Sequence, residues 1–165
     1  MKIFSPEYLN LLTANAQRSP RKRQHQNIHE KYDDPCQRLF NAIEPDSYIH
    51  PHRHHTDPRD ELLIAVNGLM ALVLFDEIGN VIEVVYFSAG KASEGFSVGV
   101  EVPCSAWHTV IALEPSCILL EVKAGPFDPG QPKDLASWAP DEGSDEARHY
   151  LKELVERIVN QSPLP

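Results

Sequence analysis

Four histidines crowd one short segment, Tyr48-Ile49-His50-Pro51-His52-Arg53-His54-His55. Side chains alternate along a strand, so an extended segment sets Tyr48, His50, His52 and His54 on one face and Arg53 and His55 on the other. Imidazoles at i and i+2 stand roughly 7 Å apart along such a strand and can converge on one ion where the sheet curves. Glu61 follows a turn through Asp57-Pro58, and an antiparallel return would lay its carboxylate beside the histidines. His108 comes after a second turn, Pro103-Cys104-Ser105-Ala106-Trp107, and a folded sheet can bring it next to the first pair. Three imidazoles and one carboxylate suit Mn, Fe, Co, Ni, Cu or Zn, and not Ca, which takes oxygen ligands. Four protein ligands leave a position for water or substrate on an octahedral ion, as catalysis requires. His50-x-His52 is a rival register on the same strand face.

The elements that must position these groups read as strands. From about Asp33 to Gly125, runs of Val, Ile, Leu and Phe alternate with turn signals such as Glu44-Pro45-Asp46, Asn67-Gly68, Gly79-Asn80, Ala89-Gly90 and Glu114-Pro115. The spacing predicts strands near 36–44, 47–54, 61–66, 69–76, 81–87, 96–102, 107–113 and 117–123. No helical pattern separates them, which points to a sandwich or barrel rather than a parallel sheet. A short helix is predicted after Ser5-Pro6-Glu7, ending before Ser19-Pro20. A second is predicted over about 144–160, capped by Ser144, with Ala147, Tyr150, Leu151, Leu154 and Ile158 in one apolar stripe. The expected organisation is one domain over 1–165. It divides into an N-terminal helix and arm (1–31), a β-barrel (32–125) and a C-terminal loop and helix (126–165).

Composition narrows the function classes. The 165 residues carry a formal charge of -9, a poor match to the phosphates of nucleic acid. No apolar stretch approaches a membrane span. The first residues lack a secretory apolar run, and the three cysteines show no metal-site spacing, so a cytoplasmic location is expected.

The histidine and glutamate spacing resembles the cupin motifs. His52-Arg53-His54, Glu61 and Gly68 follow the first motif, with a longer gap from histidine to glutamate and Asp46 in place of its first glycine. Pro103 and His108 follow the second, with Ser97, Ser105 and Ala112 replacing its two glycines and asparagine. More of the chain is similar to the WbuC-type cupin-fold metalloproteins, small bacterial proteins associated with surface-polysaccharide gene clusters. That similarity runs through Ser19–Arg23, Asn27–His29, Gln37–Ala42, Tyr48–His54 and Lys133–Pro140. It implies an all-β cupin jelly roll with flanking helices, and one divalent transition metal (Fe, Mn, Ni or Zn) on His52, His54, Glu61 and His108. His50 ranks second, because the resemblance places other residue types there.

Around this centre, His29 and Tyr48 are candidate acid/base groups, provided the N-terminal arm folds over the pocket. Arg23, Asn27, Arg38 and His50 are candidate contacts to a small-molecule ligand, the arginines toward carboxylate or phosphate. A homodimer through the apolar terminal helices is expected. The expected function is a metal-dependent enzyme on a sugar-related substrate, with isomerisation or epimerisation ahead of oxygenation. The competing class is a non-catalytic binding module.

Overall fold

The computed structural model describes residues 1–55, 58–130 and 133–161. Helix α1 spans Pro6–Arg18. The Ser5 hydroxyl accepts from the Tyr8 amide at 3.3 Å, and Pro6 needs no amide donor there. Leu12 and Ala16 bury one face of α1 against Phe40, Ala42 and Ile118. Among the described residues, ten strands follow in two antiparallel five-stranded sheets. Sheet A has the order β1 (Arg23–Asn27), β2 (Cys36–Ile43), β9 (Cys117–Ala124), β4 (Glu61–Asn67), β7 (Gly99–Val102). Sheet B has the order β10 (Asp134–Leu135), β3 (His52–Arg53), β8 (Trp107–Ala112), β5 (Leu69–Phe75), β6 (Val81–Ser88).

The sheets face each other across one core. Ile43, Leu63 and Leu119 of sheet A meet Met70, Leu72, Phe87 and Val110 of sheet B. This arrangement is a jelly roll with flanking helices. The two facing antiparallel sheets are as expected, but they do not join into a barrel: among the described residues the strands form two separate hydrogen-bonded sheets, and each twisted sheet buries only its inner face against the other. Helix α2 (Asp145–Gln161) lies on the outer face of sheet B. Its stripe of Ala147, Leu151, Leu154 and Ile158 is buried there, and the Tyr86 hydroxyl donates to the Ile158 carbonyl at 3.1 Å. The stripe expected to serve a dimer therefore packs on its own chain.

Four boundaries differ from the sequence expectation, one of them the strand expected over 96–102, which begins at Gly99. The arm expected over 1–31 contributes β1, which pairs with β2 from Arg23↔Ile43 to Asn27↔Leu39. Its run Arg-Gln-His-Gln-Asn is polar throughout, so no hydrophobic alternation marked it. The C-terminal tail adds β10 to sheet B. The strand expected over 47–54 shrinks to His52–Arg53, because Pro51 has no amide for a ladder. The segment before it is held by other means. Arg23 donates to the Tyr48 carbonyl (2.8 Å), Thr109 Oγ1 to that of Ile49 (2.7 Å) and the Ala136 amide to that of Pro51 (2.9 Å). Of the expected Asp57-Pro58 turn, Asp57 lies outside the described residues.

Candidate metal centre

Two sheets contribute one ligand group. His52 pairs directly with His108 across β3 and β8, while Glu61 opens β4 on the facing sheet. The His54 amide donates to the Cys104 carbonyl at 2.7 Å, which ties the end of β3 to the turn before β8. One ligand atom from each of His52, His54, Glu61 and His108 lies within 4.8 Å of the others, and all four residues are buried. His54 Nε2 stands 3.0 Å from Glu61 Oε1, and His108 Nε2 stands 3.5 Å from Glu61 Oε2.

The tautomers of His52 and His108 suit a cation. His52 Nδ1 is 2.9 Å from the His50 carbonyl, and His108 Nδ1 is 2.9 Å from the Ala106 carbonyl. A carbonyl only accepts, so each Nδ1 carries the proton and each Nε2 keeps a lone pair for the centre. Burial holds His52 well below the ordinary imidazole range, so its ring is neutral. His54 Nε2 is fully buried, and Glu61 Oε1 at 3.0 Å lies outside hydrogen-bond geometry, a cost that an ion bound between them would remove. The donor set and this orphaned nitrogen fit a divalent transition metal.

A second layer of charge surrounds the cluster. Lys123, buried on β9, lies 2.9 Å from His54 Nδ1 and 3.4 Å from Glu61 Oε1. Two residues before it, Glu121 hydrogen-bonds Glu61. Burial, and then the charge on Glu61, pushes the Glu121 carboxyl up to about 8. Burial acts on Glu61 in the same direction, but the imidazoles of His108 and His54 that face it, and the charge of Lys123, hold it well below the usual range. The two carboxyls therefore share one proton, carried on Glu121.

A family described as "Domain of unknown function (DUF6016)" matches residues 4–87. The chain belongs to this family. The match runs from α1 to β6 and takes in His52, His54 and Glu61. No curated protein matches the DUF6016 chain. Among solved structures, protein SO0799 from Shewanella oneidensis is 10% identical, with a TM-score of 0.54 over 82% of this chain and 83% of that one. The polyketide cyclase RemF from Streptomyces resistomycificus is 16% identical, with a TM-score of 0.52 over 79% and 78%. TT1209 from Thermus thermophilus is 19% identical, with a TM-score of 0.51 over 75% and 97%. The shared feature is the fold, two facing antiparallel sheets.

In this DUF6016 member the cluster opens into a cavity of about 330 Å³ between the sheets. Seven candidates from the sequence line it: His52, His54, Glu61 and His108, together with Arg23, Asn27 and His29. His29 is buried, with Nδ1 held 2.9 Å from the Arg38 carbonyl. Arg23 is already engaged, with Nη2 2.7 Å from Glu142 and Nη1 on the Tyr48 carbonyl. Three candidates do not join the cavity wall. Arg38 falls between the inward Gln37 and Leu39 of β2, so alternation turns it to the outer face. Tyr48 packs against Tyr150 and donates to the Pro140 carbonyl at 2.8 Å. His50 places Nε2 2.9 Å from the Ala136 carbonyl and ties the β3 segment to the tail. The shared face expected for Tyr48, His50 and His52 fails because Pro51 breaks the alternation.

Sequence reading missed Glu121, Lys123 and His25, all on the cavity wall. The signal was present on β9. Leu119, Glu121 and Lys123 share the inner face, so two charges sit at period two inside an otherwise apolar strand. His25 alternates with Arg23 and Asn27 on β1. Burial and then the charge of Arg23 push its imidazole down to about 4, so it is neutral near pH 7.

Proposed function

We propose that this chain is a metal-dependent enzyme that moves a proton on a small polar substrate held in the inter-sheet cavity. The observation that carries the reading is the convergence of three imidazoles and one carboxylate at the wall of a cavity large enough for a sugar-sized molecule. His52, His54, Glu61 and His108 are the proposed ligands, and the ion is one of Fe, Mn, Ni or Zn. Bound there, the metal supplies a Lewis acid that polarises a carbonyl or hydroxyl. Glu121 lies within hydrogen-bond reach of Glu61 and lines the same cavity, so it is the proposed proton carrier. His29, which lines the same cavity, is proposed as a second such group. Isomerisation or epimerisation fits this pairing of a proton carrier with a Lewis acid better than oxygenation does. A sugar-derived substrate and a place in surface-polysaccharide metabolism rest on the similarity to WbuC-type proteins.

The test has two arms. Protein purified without a histidine tag or added metal should hold about one transition metal per chain, and His52→Ala/Glu61→Ala should lose it. Metal-loaded protein in D₂O, offered a panel of keto and aldo sugar derivatives, should place deuterium next to a carbonyl. Glu121→Gln should abolish that exchange with the metal retained. Wild-type protein that takes up none of Fe, Mn, Ni or Zn would sink the metalloenzyme reading. A loaded protein that binds sugars without exchange would leave a binding module.

A further inference from the structure

The cavity wall is basic although the chain as a whole is acidic. The formal charge is -9, yet four cations, Arg21, Arg23, Lys123 and Lys133, line the cavity against two carboxyls, of which Glu121 holds its proton. Three of these cations have carboxylate partners: Arg21 and Arg23 on Glu142, and Lys123 on Glu61. Lys133 makes no hydrogen bond or ion pair among the described residues. Its place follows from β10. The pairs Asp134↔Arg53 and Leu135↔His52 set Lys133 just past the ladder, on the side of His54. Asp134 turns to the Arg53 side chain at 3.3 Å, so alternation turns Lys133 the other way, into the cavity. Its charge reaches His52 and Glu121 on one side and His25 on the other. A second group on this wall also lacks a partner. Asn41 of β2 stands between His25 of β1 and Leu119 of β9, facing the cavity. It is 4% exposed, and no donor meets its Oδ1.

We propose that the substrate is a sugar acid: Lys133 holds its carboxylate beside the metal ligands, and Asn41 accepts a hydrogen bond from one of its hydroxyls. This deepens the metalloenzyme reading and rests on it for the reaction, but not for the binding. An ammonium without a counter-ion is a cost in the free protein that an anionic ligand removes. A hydrogen bond between two charged groups is also stronger than one between neutral groups. The orphaned Oδ1 of Asn41 can only accept, so the ligand must bring an O–H or N–H to it. A polyol with an acid at one end meets both requirements. Position separates carboxylate from phosphate. Lys133 stands on the His54 side of the cavity, so the anionic group and the oxygen offered to the metal belong to neighbouring carbons of the substrate. A 2-keto or 2-hydroxy acid has that arrangement. A hexose phosphate esterified at its terminal carbon carries its charge at the opposite end from the carbonyl. The net positive wall also draws anions inward from an otherwise acidic surface.

Calorimetric titration of the full chain, zinc-loaded and metal-free, with 2-keto-D-gluconate, D-fructose and D-fructose 6-phosphate tests this. Fructose differs from the acid only in a CH₂OH where the acid has its carboxylate. The acid should bind about tenfold more tightly than fructose in both forms of the protein. Lys133→Met should reduce that preference to within about twofold, with bound zinc and fructose affinity unchanged. Lys133→Arg should keep the preference to within about threefold of wild type, which separates loss of the charge from a folding defect. Asn41→Leu should weaken the acid and fructose alike, about fivefold, and leave the unliganded protein no less stable. The two forms keep the readings apart: failure to bind zinc sinks the metal centre, while the acid preference is read in metal-free protein as well. Equal affinity for acid and fructose overturns the proposal, as does a wild type that binds neither. So does a preference that survives Lys133→Met, because a carboxylate held by the metal alone would keep it. Tighter binding of fructose 6-phosphate than of the acid overturns it too.

Discussion

Replacing Glu121 with Gln should stabilise the metal-free protein at alkaline pH and leave its stability unchanged near pH 4. The Glu121 carboxyl titrates at about 8 in the fold, against an ordinary value of 4.5. Below 4.5 the folded and unfolded chains both hold the proton, and the group adds no pH dependence. Between 4.5 and about 8 the unfolded chain releases its proton while the folded chain keeps it, so stability falls as pH rises. Above about 8 the loss is complete and constant. At about 1.4 kcal/mol per pH unit, the full span sets a ceiling of about 5 kcal/mol. Cavity water and movement of the Glu61 carboxyl reduce this, so about 2 kcal/mol is the expected gain for Glu121→Gln at pH 9. Glutamine keeps the shape and the hydrogen to Glu61 but cannot ionise. Urea unfolding of both proteins after chelation, at pH 4.5, 6, 7.5 and 9, reads the difference directly. A gain that is flat with pH, or a Gln variant less stable at pH 9, would refute the shared-proton account. A divalent cation beside Glu61 favours the ionised carboxylate. Loading metal should therefore shrink the gain.

Two further substitutions test the supports of the site. Arg23→Ala removes a buried guanidinium from Glu142 and the Tyr48 carbonyl and should cost about 2–4 kcal/mol in urea unfolding. Gly79→Ala should cost about 2–3 kcal/mol, with a shift in tryptophan emission. Gly79 has φ +91°, and an added Cβ would stand 2.6 Å from the Trp138 ring.

Much of the fold was legible where a strand has one wet face and one dry face. β2, β4, β5, β6, β8 and β9 read correctly because Val, Ile, Leu and Phe alternate or run between turn residues. Both helices read correctly because Ser5 and Ser144 cap them: each hydroxyl accepts an amide, from Tyr8 and Ala147. β1 was illegible because both of its faces are polar, one toward water and one toward the cavity. β3 and β10 are two residues each, below the length at which a period can be read. The position of α2 was also illegible. An apolar stripe states that a helix must be covered and does not state by what.

Residue types and spacing alone determined the chemistry on offer here. Three imidazoles and one carboxylate form a donor set whatever the fold, and His52-x-His54 with Glu61 and His108 carried that information in one dimension. Tertiary structure alone decided which other residues stand with them. Register across β3 and β8 sets His52 against His108 and leaves His50 outside, tied to the Ala136 carbonyl. Register across β4 and β9 sets Glu61 against Lys123 and within reach of Glu121. These partners are separated by about sixty residues of chain, so no local pattern encodes them. A carboxyl's proton depends on burial and on the nearest charge, and both are properties of the folded neighbourhood rather than of the segment that contributes the residue.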